Sequence, residues 1–308
     1  MLQRTLSGVV LMLACCLAAR AAGAFELIEI APGVFAHQGQ TALMSRDNNG
    51  DIANLGAVVG RDAVAVVDTG GSLVEGREFL AALQQKTSKP IRFVINTHVH
   101  PDHIFGNGAF TETGAVFVGH KNLSRALATR GPFYLASFRE ALGPLLDDVK
   151  IVAPSLAIEG TTRLDLGGRE IVLRAWRTAH SDADLTVLDE GTKTLFAGDL
   201  LFLRHVPIVD GSLLGFLAVV GELEKIEAVR VVPGHGPVVA PWPQALEAQK
   251  TYLERLTRDL RAQIAAGAGL EAASKTAGRS ERPNWELFDD YNIRNATAGF
   301  AELEWDSP

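Results

Sequence analysis

The sequence predicts an α/β fold made of two halves whose sheets face each other. Strand-like and helix-like patterns run as strands and helices, then as strands and helices again, the order expected of packed layers around a shared core. With 308 residues, 47% of them hydrophobic, the chain can bury a sizeable core. Thirty glycines and few aromatics, without a low-complexity linker or a short-period repeat, suit a loop-rich globular fold rather than a coiled coil.

The first 24 residues stand apart. Arg4 supplies a positive start, Val9–Ala19 a short apolar stretch and Ala22-Gly23-Ala24 a small-residue cleavage site before Phe25, the pattern of a signal peptide. The apolar run is short for a bilayer span. The expectation is a periplasmic or secreted chain that leaves the membrane once residues 1–24 are cleaved.

Beyond Phe25, strands are predicted at Val34–His37, Asn54–Val59 and Ala63–Asp68, each apolar and β-branched, with the polar turn Ser45–Asp51 between the first two. Val74–Gln85 has helical spacing, and Lys89-Pro90 stops it. Ile91–Asn96 reads as a buried strand, Val116–Gly119 as another and Lys121–Thr129 as a helix. A mixed connection spans Gly131–Pro154. Strand patterns resume at Ile158, Thr162–Leu166, Ile171–Trp176, Asp184–Leu188 and Thr194–Ala197. Then come a helix over Ser212–Ile226, a strand over Arg230–Pro233 and an amphipathic helix over Pro243–Ala266. The catalytic domain is expected over residues 25–270. The extension 271–308 carries Trp285, Phe288, Tyr291, Phe300 and Trp305, enough aromatic surface to pack it back onto that domain.

Both cysteines, Cys15 and Cys16, lie in the leader. The mature chain therefore has neither disulfide nor thiolate, and any metal must be held by nitrogen and oxygen. Without the leader there are 27 basic residues against 36 acidic ones, a net charge of −9. No basic cluster could track a phosphate backbone, which excludes nucleic acid as the expected partner and leaves a small-molecule substrate.

The chemistry concentrates in "THVHPDHIFGN", where His98, His100, Asp102 and His103 occupy six positions. In an extended segment His98 and His100 point the same way, so they can bind one ion together. Asp102 and His103 follow Pro101, where the chain turns, and face a second position. Mixed imidazole and carboxylate ligands suit zinc, and also iron or manganese. Three further ligand types each follow a predicted strand: His180 in "RTAHSDADL", Asp199 in "LFAGDLLF" and His235 in "VVPGHGPV". Loops after strands are where α/β proteins place functional groups. Of the other histidines, His205 in "FLRHVPIVDGS" is placed to line a pocket. His120 reads as a structural cap between a strand and a helix, and His37 sits in an early strand with no nearby partner.

In this order, THVHPDH, His180, the GD at Asp199 and the PGHG at His235 resemble the metallo-β-lactamase-fold hydrolase superfamily, as does "VVDTGG" with Asp68. The resemblance implies a four-layer αβ/βα sandwich with a dinuclear site, two zinc ions per chain, in a groove along its edge. By position, His98, His100 and His180 would hold one metal. Asp102, His103 and His235 would hold the other, with Asp199 bridging. Asp68 would orient a ligand or solvent, and His205 would support the pocket. Asn54 and the Ser45–Asp51 loop would border the groove, the loop as a flap. The reaction implied is direct hydrolysis of an ester, thioester, lactone or related bond by a hydroxide shared between the metals, with Asp102 also hydrogen-bonding the attacking water.

"NNGDIANLG", "FVGHKNL" and "VDGSLLGF", together with the leader, are similar to periplasmic quinoprotein relay system zinc metallohydrolases, which implies a functional link to a quinoprotein dehydrogenase system. Two departures from thiolate-ligated β-lactamases stand out: Asp199 replaces their Cys, and Phe202 replaces the Lys that grips the drug's carboxylate. Arg204 or His205 would have to substitute, so β-lactam turnover fits only as a side activity. Two rival readings stay open. One is a persulfide dioxygenase-like enzyme with a single iron, which would leave Asp102 and His103 outside the metal shell. The other is a non-catalytic quinone- or metal-binding protein. Specificity is assigned to the loops Ser45–Asp51, Gly131–Pro154 and Leu203–Leu214.

Overall fold

A computed structural model describes residues 25–305. The expected signal peptide lies outside the described residues, and no described helix is long and apolar enough to cross a membrane. The first half runs β1 (Ile28–Ala31), β2 (Val34–His37), β3 (Leu55–Val59), β4 (Val64–Val67), α1 (Leu73–Lys86), β5 (Ile91–Ile95), α2 (Pro101–Ile104), β6 (Val116–His120), α3 (Leu123–Ser137), α4 (Arg139–Leu142) and β7 (Leu156–Ile158). The second runs β8 (Thr161–Asp165), β9 (Glu170–Ala175), β10 (Leu185–Asp189), β11 (Thr194–Phe202), α5 (Leu213–Leu223), β12 (Arg230–His235), β13 (Ala240–Pro241), α6 (Leu246–Ala265), α7 (Leu270–Thr276) and α8 (Phe288–Trp305).

Strands β1 to β7 form one sheet in sequence order, and the second sheet is ordered β13-β12-β11-β10-β9-β8. Side-chain alternation then builds the layers. In β4, Ala65 and Val67 face the second sheet, while Val64 and Val66 join Phe79 and Leu83 of α1. In β11, Phe196 enters the inter-sheet core, whereas Leu195 and Ala197 join the helices α5, α6 and α8. The result is the expected αβ/βα sandwich. Phe196 locks the two sheets: its ring fills the space a side chain at Gly56 would need, with Cε1 only 2.1 Å from that Cβ position. Phe196→Ala is expected to cost about 3–5 kcal/mol of stability, read from urea unfolding, because it opens a cavity between two rigid sheets.

Three local readings change. Strand β11 does not stop at Ala197 but runs to Phe202, through Gly198 at φ 52° and a shift in register against β12. Asp199 therefore sits on an irregular strand rather than in a loop, aimed by a backbone kink that glycine permits. The helix expected to end at Thr129 continues as α3 to Ser137 despite Pro132. Burial of Leu127 and Tyr134 against Val99, Ile104 and Phe105 outweighs the lost backbone bond. Strand β1, unpredicted because Ile28 and Glu29 are exposed, pairs with β2.

The segment beyond 270 shares a core with α5 and α6. Trp285, Phe288 and Phe300 are buried there, whereas Trp305 is 87% exposed. Polar contacts are as specific. Asn295 of α8 donates to the Pro207 carbonyl (2.6 Å) and accepts from the Val209 amide (2.9 Å), and Glu302 accepts from Ser212 Oγ (2.6 Å) and the Leu213 amide (2.7 Å). Helix α8 thus fixes the 207–213 loop.

Candidate metal centre

The strand ends converge on one edge of the sandwich. Asp68 follows β4 at φ 59°, His98 follows β5, and His100 precedes α2, which presents Asp102 and His103. His180 comes from the β9–β10 loop, Asp199 from β11 and His235 from the last position of β12. The seven expected ligand positions fall into two adjoining groups. In one, His100 Nδ1 lies 3.1 Å from His98 Nε2 and 2.8 Å from His180 Nε2. Asp199 Oδ2 lies 3.6 and 3.4 Å from those two Nε2 atoms. In the other, Asp102 Oδ2 lies 3.4 Å from His103 Nε2 and 3.2 Å from His235 Nε2. Asp199 Oδ1 lies 3.1 and 3.4 Å from the same two nitrogens. One carboxylate therefore puts an oxygen into each group.

Each imidazole is held by its outward nitrogen. His180 Nδ1 donates to the Ile208 carbonyl (2.8 Å), His235 Nδ1 to the Ile52 carbonyl (2.9 Å), His103 Nδ1 to Asp68 Oδ2 (2.8 Å) and His100 Nε2 to Asp210 Oδ2 (3.0 Å). Thr97 Oγ1 donates its only proton to Asp68 Oδ2 (2.7 Å), so it accepts from His98 Nδ1 at 3.0 Å. In their neutral forms all five rings thus turn an unprotonated nitrogen inward, the tautomer a metal ligand needs. Two inward atoms, His103 Nε2 and Asp199 Oδ1, are buried with no hydrogen-bond partner. Buried polar atoms are seldom left so. The donor set fits metal ions.

The electrostatics agree. Burial pushes the His98 imidazole well below its ordinary range and brings His180 down to about 4, so both are neutral near pH 7. Burial also opposes charge on His103 and His235. There Asp199 and Asp102 outweigh it, raising His103 well above the usual value and His235 to about 9. Burial likewise resists ionising Asp102 and Asp199, yet the imidazoles hold both well below the carboxylate range. The site is a buried pocket of carboxylate charge that calls for positive charge, which a cation provides as well as a proton.

A cavity of about 610 Å³ opens over both groups, with His100, Asp102, Asp199 and His235 in its lining. Leu43, Met44, Ile52, Phe133, Phe138 and Ile208 make it largely apolar. Its cations are Arg130, which pairs with Asp210, and Arg294 of α8, which lies 5.8 Å from the Tyr291 ring centre. Asp210 thus joins His100 to Arg130. Burial raises its carboxyl, but the His100 bond and the Arg130 charge prevail and hold it well below its ordinary value. His205 also lines the cavity, with ring centres 5.1 Å from His235 and 5.0 Å from Tyr291. Burial, then the charge of His235, lowers it to about 4.

A family model described as the metallo-β-lactamase superfamily matches residues 48–235. The chain belongs to the metallo-β-lactamase superfamily. Solved structures of the same fold include a metallo-β-lactamase from Pontibacter korlensis, with a TM-score of 0.60 and 19% identity over 74% of this chain and 98% of that one. The stereoselective inverting sec-alkylsulfatase Pisa1 from Pseudomonas sp. aligns with a TM-score of 0.68 and 16% identity, over 90% of this chain and 50% of that one. In sequence, a linear primary-alkylsulfatase of a Pseudomonas strain is 40% identical over 58 residues, a match that spans 19% of this chain and only 11% of that protein.

Within this superfamily fold several expectations shift. Phe202, where the resemblance leads one to expect a Lys, is buried and stacks on His235 with ring centres 5.2 Å apart. Arg204 does not replace that Lys, because its exposed side chain pairs with Glu286 (2.8 Å). The Ser45–Asp51 turn does not itself line the cavity; its neighbours Leu43, Met44 and Ile52 do. Asn54 is buried and ties down the PGHG turn, donating to the Pro233 (2.9 Å) and Gly236 (3.2 Å) carbonyls. His120 accepts from the Asn122 amide (3.0 Å) where β6 meets α3, a capping contact. His37 is not without a partner: Asp51 Oδ1 lies 3.0 Å from its Nε2. Thr97, Arg130, Asp210, Tyr291 and Arg294 were missed. Only Asp210 carried a signal, lying in "VDGSLLGF".

Proposed function

We propose that the protein is a metal-dependent hydrolase of amphiphilic, anionic ester substrates, with alkyl sulfates the first class to test. The carrying observation is the set of five imidazoles, each tied outward to an oxygen with its free nitrogen turned toward Asp102 or Asp199, beneath an apolar cavity that holds two arginines. His98, His100, His180 and Asp199 would hold one cation. Asp102, His103 and His235, with the other Asp199 oxygen, would hold a second. The nitrogen and oxygen donors suit zinc, and also iron or manganese. When bound, such a pair supplies Lewis acidity and brings the pKa of water toward neutrality. The involvement of His103 and Asp102 supports two cations over a single iron.

The chain's own residues do the rest. Asp102, in the cavity lining, can accept the proton of the attacking water, and no Ser or Cys nucleophile is required. Arg130 and Arg294 would hold the substrate's anionic group while Phe133, Phe138, Leu43 and Met44 take its hydrocarbon part. The alkylsulfatase relatives, in sequence and in fold, support the sulfate ester as the bond to try. The leader and the likeness to quinoprotein relay hydrolases support a place outside the cytoplasm beside a quinoprotein dehydrogenase system.

The test is a panel of alkyl sulfates, carboxylic esters, thioesters, lactones and phosphoesters, assayed before and after chelation. Turnover of medium-chain alkyl sulfates that chelation abolishes and zinc restores is the expected result. No turnover by metal-loaded protein across the panel would overturn the reading. Arg294→Ala is expected to raise KM for the anionic substrate about tenfold, with kcat little changed, and to leave KM for a neutral ester alone.

A further inference from the structure

Behind the centre lies a third group of ligand-type side chains from separate parts of the chain: His37 at the end of β2, Asp51 in the turn after Ser45, and Glu75 in the first turn of α1. One donor atom from each lies within 4.8 Å of the others. The His37 ring stacks on Phe25, with centres 3.8 Å apart, and its Nδ1 donates to the Glu26 carbonyl (2.9 Å). Its Nε2 faces Asp51 Oδ1 3.0 Å away, a pairing that a proton on Nε2 or a cation bound to both atoms would satisfy.

Glu75 supplies a second and independent sign. Only 1% of it is exposed, and Oε2 accepts from the Gly71 amide at 2.6 Å, a helix-start contact that accounts for one oxygen. The other, Oε1, is buried and has no partner. The carboxyl fills the space beside Gly70, at φ 95°, where a side chain would begin 2.3 Å from Glu75 Cδ.

We propose that His37, Asp51 and Glu75 form a third cation site, distinct from the two groups on the cavity floor, which takes one small divalent ion through one nitrogen and two carboxylate oxygens. The mixed donor set suits zinc or manganese. Asp51 keeps its side chain 21% exposed, which leaves an approach for the ion and room for water to complete its shell. The role is structural. A cation there ties β2 and α1 to the Ser45–Asp51 turn, and the next residue, Ile52, offers the carbonyl that orients His235. The site thus braces one ligand of the centre from behind without touching the cavity.

The test is zinc stoichiometry and affinity of the full metal-free chain, by equilibrium dialysis with elemental analysis. It compares wild type with Glu75→Gln, His37→Gln and, as the converse, His103→Ala. Glu75→Gln can keep the Gly71 contact through its amide oxygen, and circular dichroism checks that each variant is folded. The expected result is that Glu75→Gln and His37→Gln each bind about one zinc fewer than wild type, whereas His103→Ala retains the zinc that those two lose. Zinc should also slow hydrogen exchange in residues 45–52 of His103→Ala. If Glu75→Gln and His37→Gln bind as much zinc as wild type, the third site is overturned while the centre stands. If His103→Ala binds no zinc and shows no protection, it is overturned as well.

Discussion

Replacing Asp199 by Asn is expected to lower kcat/KM roughly 10³-fold, about 4 kcal/mol of barrier, with the fold unchanged. Asp199 puts Oδ2 beside His98 and His180 and Oδ1 beside His103 and His235. An amide keeps an oxygen for one group and presents N–H donors to the other, where the imidazoles already offer what a cation needs. It also removes a negative charge from a buried cluster. Asp199 Oδ1 fills the space beside Gly234, where a side chain would begin 1.9 Å from it. Elemental analysis should show about one cation per chain lost from the centre. Gly234→Ala makes the same point from the backbone side: it leaves the carboxylate chemistry intact but pushes it out of place, and metal should fall in parallel. Full activity and full metal in Asp199→Asn would remove the two-cation reading.

How much of this was legible follows from what each signal is made of. Residues that act through their own type at short spacing could be read directly, as with His98, His100, Asp102 and His103, or Asp68 just past a β-branched strand. The layers could be read too, because alternation in Val64–Val67 is a local pattern with a global consequence. What could not be read are pairings across the fold. Asp210 meets His100 across 110 positions, and Asn295 meets Pro207 across 88. An aspartate in a glycine-rich loop and an asparagine in a polar helix look like solvated surface until packing brings them in. Arg294 is one of many exposed-type cations in the sequence, and only the docking of α8 puts it over the cavity. His37 was misjudged for the same reason, since its partner lies 14 residues on, past a turn. Asp199 was misplaced because a strand interrupted by Gly198 reads as a strand that has ended.

Asp68→Asn, which touches no cation position, tests whether the tautomers are built in. Asp68 Oδ1 accepts from the Thr97 amide (2.8 Å), while Oδ2 accepts from Thr97 Oγ1 (2.7 Å) and His103 Nδ1 (2.8 Å). With Oδ1 kept as the oxygen, Asn brings an NH₂ to the place of Oδ2, facing two donors. His103 relieves the clash by moving its proton to Nε2, which destroys the inward lone pair. Thr97 relieves it by turning its hydroxyl toward His98 Nδ1, which removes the brace on the second ring. Both changes weaken binding without removing a ligand, and losses of this origin run to about 10–100-fold in metal affinity or activity. The expected result is a fall of that size in zinc affinity, with thermal stability of the metal-free protein nearly unchanged because the volume is conserved. Nitrogen-15 NMR of the imidazoles, taken in the zinc-loaded protein or at a pH where the ring is neutral, should show His103 switching tautomer in the variant. If zinc affinity is unaltered and His103 keeps its proton on Nδ1, then Asp68 only fills space. If affinity falls and the tautomer switches, the ligand geometry is set by hydrogen bonds that exist before any metal arrives.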